Sequence, residues 1–369
     1  MAHLAITGLG LVTTVGHDVV TAYGALRCGM VRPWPVDFEV PADDGNANTL
    51  LTAHPLRGIT DGFQGMGRYL RMATHAVEDL LHHASLHQEG AGFWQGTSLY
   101  VGLSRTRNAE IDFYDELLEE HLVGELASRT RLPIMENRRR VLFRGHAAAL
   151  WALHEASVAI ERGQTERALV VGVDSLLESD TLQVLAASRR LKTNLTPRGL
   201  MPGEGAAAFL VEPLARARAR KATLQCVVEG ISLGQERESR ASGARSAGVA
   251  LSEVIEKVLP RDRAIASIYG DLNGEDARAE EWANALVRLS ANRALSSAAQ
   301  YWLAASLGDT GAASGALSVV TGARALFRGH AAGGDVLIWS SADTGAVAAA
   351  LLRRAESPVS SPQQHGVRR

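Results

Sequence analysis

A histidine and two aspartates, each set beside a glycine, are the residues of this 369-residue chain best suited to chemistry. His146 stands in Gly145-His146-Ala147-Ala148-Ala149-Leu150, Asp271 in Tyr269-Gly270-Asp271-Leu272-Asn273-Gly274, and Asp309 in Gly308-Asp309-Thr310-Gly311. An imidazole oriented by a carboxylate can take and return a proton, so His146 as base would suit hydrolysis or acyl transfer. No serine or threonine nucleophile adjoins it. Joined by Asp343, the same residues have the ligand types of a divalent-metal site, but their spacing demands none, and neither metal nor cofactor is expected. Where the fold brings these residues together, the structural alternative is that His146 pairs with Asp309 or Asp271 and fills a pocket whose other candidate residues are Asn273, Thr310 and Asp343.

Composition narrows the classes. Apolar residues make up 46% and charged residues 21%, an ordinary globular profile, and the chain can hold two core-bearing lobes or one large α/β body. Glycine is abundant (36 residues) and aromatics few (5%), which favours close helix and sheet packing over an aromatic all-β core. A net charge of -2 supplies no field to gather phosphates, so a nucleic-acid partner is not expected. Cys28 and Cys226 are too few and too far apart for a disulfide framework or a zinc site, and both read as structural filler in a reduced, cytoplasmic setting. Met1–Val12 lacks a basic leader and a cleavage site, and no apolar run approaches the roughly 18 residues of a membrane span. The tail 356–369, with its Ser-Pro pairs, reads as disordered.

The elements that must position these residues follow from periodicity. Strands are predicted at 4–11, 98–103, 141–143, 168–173 and 205–211, and again at 223–230, 264–271, 336–340 and 346–352. Helices are predicted at 18–26, 72–83, 109–126, 146–162, 180–188, 249–258, 275–289 and 311–327. The proline-bearing stretch 33–48 reads as surface loop. Strands alternating with helices imply crossovers and a largely parallel sheet. Two segments echo each other, Gly145–Leu150 and Gly308–Leu317: each opens a helix with small residues, allowing two buried helices to approach closely.

Among the remaining features, Arg138-Arg139-Arg140 with Arg144, and Arg189-Arg190-Lys192 with Arg198, read as solvated loops. The alternative is contact with the phosphate of a pantetheine arm or an acidic carrier protein. The histidines between His75 and His87 read as surface, and Trp282 and Trp302 as core or interface anchors.

In this order and spacing, several segments resemble β-ketoacyl synthases of the thiolase superfamily from Ala5 to about Arg353. Ile6-Thr7-Gly8-Leu9-Gly10-Leu11-Val12 is similar to the family's opening strand. Pro202-Gly203-Glu204-Gly205-Ala206-Ala207-Ala208 is similar to its Gly-Glu-Gly-Ala-Ala segment. Ile160-Glu161-Arg162-Gly163 and Val170-Val171-Gly172-Val173 are similar to the end of the nucleophile helix and the next strand. The resemblance implies a duplicated, five-layered α-β-α-β-α fold with two pseudo-symmetric halves, 1–215 and 222–353. It also implies that His146, Asp271 and Asp309 converge, in the places of the family's cysteine and two histidines. The family's lysine has no counterpart, Ala304 or Ala305 standing there. Its glycine- and phenylalanine-rich turn is replaced by Ser341-Ala342-Asp343-Thr344-Gly345, and its arginine–proline–phenylalanine loop is shortened to 192–200.

Decarboxylative condensation needs a thiolate as nucleophile and leaving group, and hydrogen-bond donors where oxygen turns negative. An ionised aspartate donates nothing. Losing one such donor costs about 3–4 kcal/mol in the transition state. The resemblance therefore implies a ketosynthase-like pseudoenzyme acting through binding, as a homodimer by family default or beside a catalytic ketosynthase in the manner of chain-length-factor subunits. The segment 271–275, with Arg278-Ala279-Glu280-Glu281-Trp282, also resembles thiolase-like proteins that accompany type VI secretion effectors, making an effector a second partner class. An acyl-thioester transferase or hydrolase using His146 with Asp271 and Asp309 is the enzymatic alternative.

Overall fold

The computed structural model describes residues 3–41, 48–105, 112–331 and 333–355, so the tail 356–369 lies outside the described residues. The chain opens with β1 (Leu4–Val12), buried throughout, and α1 (Val19–Arg27), whose first turn is capped by Asp18 accepting from the Val20 and Thr21 N–H groups. Instead of a loop over 33–48, β2 (Trp34–Pro41) and β3 (Asn48–Ala53) pair antiparallel apart from the main sheet. Pro35 and Pro41 suggest a loop. The alternation of Val36, Phe38 and Val40 decides otherwise, because these side chains pack with Leu51, Leu176, Leu182 and Leu185.

The first half continues through α2 (Gly65–His83), α3 (Ala91–Gln95) and β4 (Thr97–Leu103). Next come α4 (Asp112–Leu117), a π-helical turn at Leu118–Leu122, and α5 (Val123–Arg129). Then β5 (Arg139–Phe143), α6 (Ala148–Glu161), β6 (Arg167–Ser175), α7 (Ser179–Ala187), β7 (Glu204–Pro213) and α8 (Leu214–Ala219) follow. The second half holds β8 (Cys226–Gln235), α9 (Val249–Val258), β9 (Ser267–Gly270) and α10 (Asp276–Leu289). It ends with β10 (Ala299–Trp302), α11 (Ala304–Leu307), α12 (Ala313–Phe327), β11 (Asp335–Ser341) and β12 (Ala346–Arg353). Strand β10 has no counterpart among the sequence-based expectations.

All main strands join in one sheet of order β10-β9-β11-β12-β8-β1-β7-β6-β4-β5. Outward from the β1–β8 contact, β1-β7-β6-β4-β5 and β8-β12-β11-β9-β10 repeat the same pairings: two antiparallel, then two parallel. The sheet is thus mixed rather than largely parallel. A turn as short as Ala342–Gly345 can only join β11 to β12 antiparallel, since a parallel connection needs a crossover.

Period-two alternation explains the layers. In β7, Ala207, Phe209 and Val211 enter the central core, while Ala206, Ala208 and Leu210 face the cluster built on α2. In β12, Ala346, Ala348, Ala350 and Leu352 face the centre, while Val347, Ala349 and Leu351 face the cluster built on α9 and α10. Helices α6 and α12 pack on each other between the two half-sheets; α2 covers one outer face and α9 the other. The result is the α-β-α-β-α stack. Trp282, Trp302 and Trp339 form one aromatic cluster in the outer core of the second half. The helix carrying His75 to His83 is less superficial than its histidines suggest, because its other face buries Met72, Ala76, Leu80 and Leu81 against the sheet, leaving His75 and His83 half-buried.

The central layer leaves no room for side chains where strand and helix cross. A Cβ at Gly172 on β6 would stand 2.7 Å from the Cβ of Ala316 on α12. Gly172→Ala is therefore expected to destabilise the protein by about 1–3 kcal/mol, an overpacking cost. Chemical denaturation would measure it, and adding Ala316→Gly should recover part of the loss.

Candidate functional site

Three chain turns meet where α6 and α12 begin. His146 sits in a 3-10 turn at Gly145–Ala147 leading into α6, and Gly145 adopts a left-handed φ of 52° that permits the turn. Asp309 precedes α12, where its Oδ1 accepts the Gly311 N–H at 2.9 Å. Asn273 belongs to the connection from β9 to α10, and Arg278 to the first turn of α10.

His146 Nε2 lies 2.7 Å from Asp309 Oδ1, and the other Asp309 oxygen accepts the Asn273 amide at 2.7 Å. Arg278 Nη2 faces His146 Nδ1 at 3.1 Å. A guanidinium can only donate, so Nδ1 is the acceptor and Nε2 carries the hydrogen that Asp309 receives. Both ring nitrogens are engaged. Asp271 stands beside this pair without bonding it, accepting instead the Ser314 hydroxyl at 3.0 Å and the Ser341 N–H at 2.9 Å. His146, Asp309 and Asp271 are 3%, 3% and 5% exposed. Thr310 is buried in the same turn as Asp309.

A second tier closes the site. Arg190 grips both Glu275 oxygens at 2.8 Å and reaches Asp343 Oδ2 at 2.7 Å, while Arg240 adds a 3.0 Å contact to Glu275. Asn273 links the tiers by donating to Glu275 as well as Asp309. Burial alone would raise the Asp309 carboxyl, but His146, Arg278 and Asn273 hold it well below the usual range. Against the same penalty, Arg278 and Arg190 lower Asp343, and Arg190 lowers Glu275. Asp271 goes the other way: burial outweighs the Arg278 charge and the hydrogen bonds from Ser341 and Ser314, and its carboxyl is raised. Arg278 supplies positive charge beside His146, and no three His, Cys, Asp or Glu side chains among the described residues are grouped to hold a metal ion.

A cleft of about 400 Å³ opens above this network, lined by Arg278 and Asp343 and rimmed by Arg189, Arg198, Arg240 and Arg245. His146, Asp271 and Asp309 do not line it.

The structure thus brings His146, Asp309, Asn273 and Arg278 into direct contact, sets Asp271 and Thr310 alongside, and places Asp343 at the cleft floor. Arg278, Glu275, Ser314 and Ser341 are the members missed from sequence. A basic residue one helical turn after a glutamate is common on solvated helices, and only burial distinguishes this one. Arg190 corrects the solvated-loop expectation: left-handed Arg189, φ 52°, reverses the chain after α7 and the next side chain turns inward. In the other basic run, Arg138 and Arg139 bond Thr165 and the Ile134 carbonyl, Arg140 is exposed, and Arg144 lies over the Trp151 ring. Cys28 is not filler but exposed beyond α1, and Cys226 is buried in β8.

Comparison with known proteins agrees with this architecture. The family model for the beta-ketoacyl synthase N-terminal domain matches residues 145–217, starting one residue before His146. The highly reducing polyketide synthase ACTTS3 of Alternaria alternata is 28% identical over 183 residues, 44% of this chain but 7% of that protein. The highly reducing polyketide synthase alnA of Emericella nidulans is 30% identical over 97 residues, 24% of this chain and 4% of that protein. The chain therefore spans only a small fraction of these relatives. Among solved structures, a type II polyketide ketosynthase in complex with its acyl-carrier protein superposes with a TM-score of 0.77 at 14% identity, covering 96% of this chain and 100% of that one. The ishigamide ketosynthase/chain length factor gives 0.73 at 18% identity, with 96% and 100% covered. The oxazolomycin ketosynthase domain of Streptomyces albus JA3453 gives 0.74 at 17%, with 99% and 76% covered. The chain has the thiolase-like fold of the ketosynthases.

The opposite shifts of the two aspartates predict opposite pH behaviour. Asp309, lowered on folding, contributes stability above the ordinary aspartate range that is lost as pH falls through its folded value. Asp309→Asn should cost about 3–5 kcal/mol at pH 7, the price of breaking a buried pair, and should flatten the acid limb of the stability curve. Asp271, raised on folding, contributes stability that is lost as pH rises through its folded value. Asp271→Asn should therefore stay within about 1 kcal/mol of wild type at pH 7, since an amide can still accept from Ser341. Denaturant titrations at several pH values check both.

Proposed function

We propose that this ketosynthase-fold protein carries out no condensation and acts by binding, as an accessory subunit beside an active ketosynthase. The observation that carries the reading is the 2.7 Å contact between His146 and Asp309 under Arg278. Where the family resemblance puts a thiolate and two imidazole donors, this chain has His146, Asp309, Asn273 and Arg278 bonded to one another. Asp309 already accepts three hydrogen bonds and offers nothing to a developing oxyanion. Neither cysteine replaces the nucleophile: Cys28 is exposed beyond α1, and burial pushes the Cys226 thiol up, away from the reactive thiolate.

The same geometry argues against transfer or hydrolysis by His146. A general base needs a free lone pair facing a substrate, and the Nδ1 lone pair faces Arg278 at 3.1 Å in a buried site. Partner choice draws on the structural relatives, one a ketosynthase paired with a chain length factor and another a ketosynthase held by its acyl-carrier protein. A ketosynthase partner is the assembly this fold supports best. A secretion effector rests on the 271–275 motif alone, and the Asp271, Asn273 and Glu275 side chains are buried in internal bonds rather than displayed to a partner.

Incubation with malonyl- and acyl-coenzyme A thioesters should release neither carbon dioxide nor free thiol above background. Sedimentation with a ketosynthase from the same source should give a stoichiometric complex. Turnover that disappears in His146→Ala would overturn the proposal, as would absence of any complex.

A further inference from the structure

A second cavity lies under the edge of the sheet, between α1, α12 and the strands β9 and β10. Helix α12 packs on β9 and β11, leaving a space of about 220 Å³ beneath β10 that α1 closes from the side. It shares no lining residue with the cleft above Arg278.

Two stacked ring pairs form its walls. Tyr23 on α1 lies against His330 with centroids 5.8 Å apart, and Tyr269 on β9 lies against Tyr301 on β10 at 5.0 Å. Thr321 of α12 lines the same space; it is 4% exposed, and its hydroxyl has no hydrogen-bond partner. A buried hydroxyl without a partner marks a place where a ligand can satisfy the group. The cavity is also electropositive. Arg27 lines it and contacts only the His330 ring, at 3.0 Å, and neither Arg27, Arg324 nor Arg328 forms an ion pair among the described residues. Arg27 is the cation at the rim, beside the exposed His330 ring.

We propose that this cavity binds a small aromatic carboxylate, its ring against Tyr23 and Tyr269, its carboxylate on Arg27, and a polar ring substituent on Thr321. The size agrees: a cavity of about 150 Å³ holds benzene, so 220 Å³ accommodates one substituted ring. Aromatic walls select a planar body, the unpaired guanidinium selects an anion, and the buried hydroxyl selects a polar group at the far end.

The probe is 4-hydroxybenzoate, with 4-hydroxybenzyl alcohol, benzoate and acetate as controls, read by calorimetry and by the tyrosine ring signals in NMR. The acid should bind saturably and at least about tenfold more tightly than the alcohol, the difference a charge-assisted contact supplies. Acetate should leave the tyrosine signals unmoved. Arg27→Gln should reduce the acid to the level of the alcohol, and Thr321→Val should abolish the preference for 4-hydroxybenzoate over benzoate. Should a core change at Thr321 disturb folding, Tyr301→Ala at the exposed edge strand removes one wall and should weaken every aromatic probe. Equal binding of acid and alcohol, or acid binding unchanged in Arg27→Gln and Tyr301→Ala, would overturn the proposal.

Discussion

The contact between His146 and Asp309 joins the turn that leads into α6 to the turn that precedes α12, the two helices around which both halves of the molecule are built. Each helix buries its small residues against the other and against a half-sheet, so neither turn can move without disturbing the central core. The hydrogen bond is therefore held by the packing as much as it holds it. A Cβ at Gly315 would stand only 3.0 Å from the His146 carbonyl, which shows how closely the second helix passes beneath the first turn. Asp174 of β6 reinforces the junction by accepting the Ala312 N–H at 2.8 Å.

Around this junction Arg278 and Arg190 are paired with carboxylates, whereas Asp271 is held only by hydrogen bonds from Ser314 and Ser341. Arg278 faces His146, the Ser341 carbonyl and Asp343; Arg190 spans Glu275 and Asp343; and Asn273 ties Glu275 to Asp309. A buried ionic network of this kind is weak evidence for stability relative to an apolar core, but removing one member leaves an uncompensated charge and is strongly destabilising. A catalytic centre keeps a lone pair or a donor in reserve for substrate, whereas here the histidine and Asp309 spend both sides of their hydrogen-bonding capacity inside the protein.

Much of the fold was legible because period-two and period-3.6 patterns survive wherever a face is buried. The strands at 168–173, 205–211 and 346–352 and the helices at 249–258 and 275–289 all lie within the observed elements or one residue of them. Failures came where local signals conflict. Prolines masked the alternation of Val36, Phe38 and Val40, and the short β10 carries exposed residues with no apolar run to announce it. Strand direction was also misjudged, because alternation of strands and helices does not say which way a loop such as 188–203 returns the chain.

For the candidate site, the sequence by itself determined the residue types: no cysteine opens the α6 turn, and carboxylates stand at Asp271 and Asp309. The resemblance to the β-ketoacyl synthases, carried over position by position, nominated His146 and the two aspartates. Which aspartate pairs with the histidine, and which cation completes the set, depended on the tertiary structure. Arg190 lies in the loop after α7 and Glu275 and Arg278 at the start of α10, surface-like segments whose burial arises only when they and the β11–β12 turn close over one another. Hydrogen bonding and desolvation act between elements distant along the chain, so the pairing of Asp309 and the isolation of Asp271 are properties of the packed molecule.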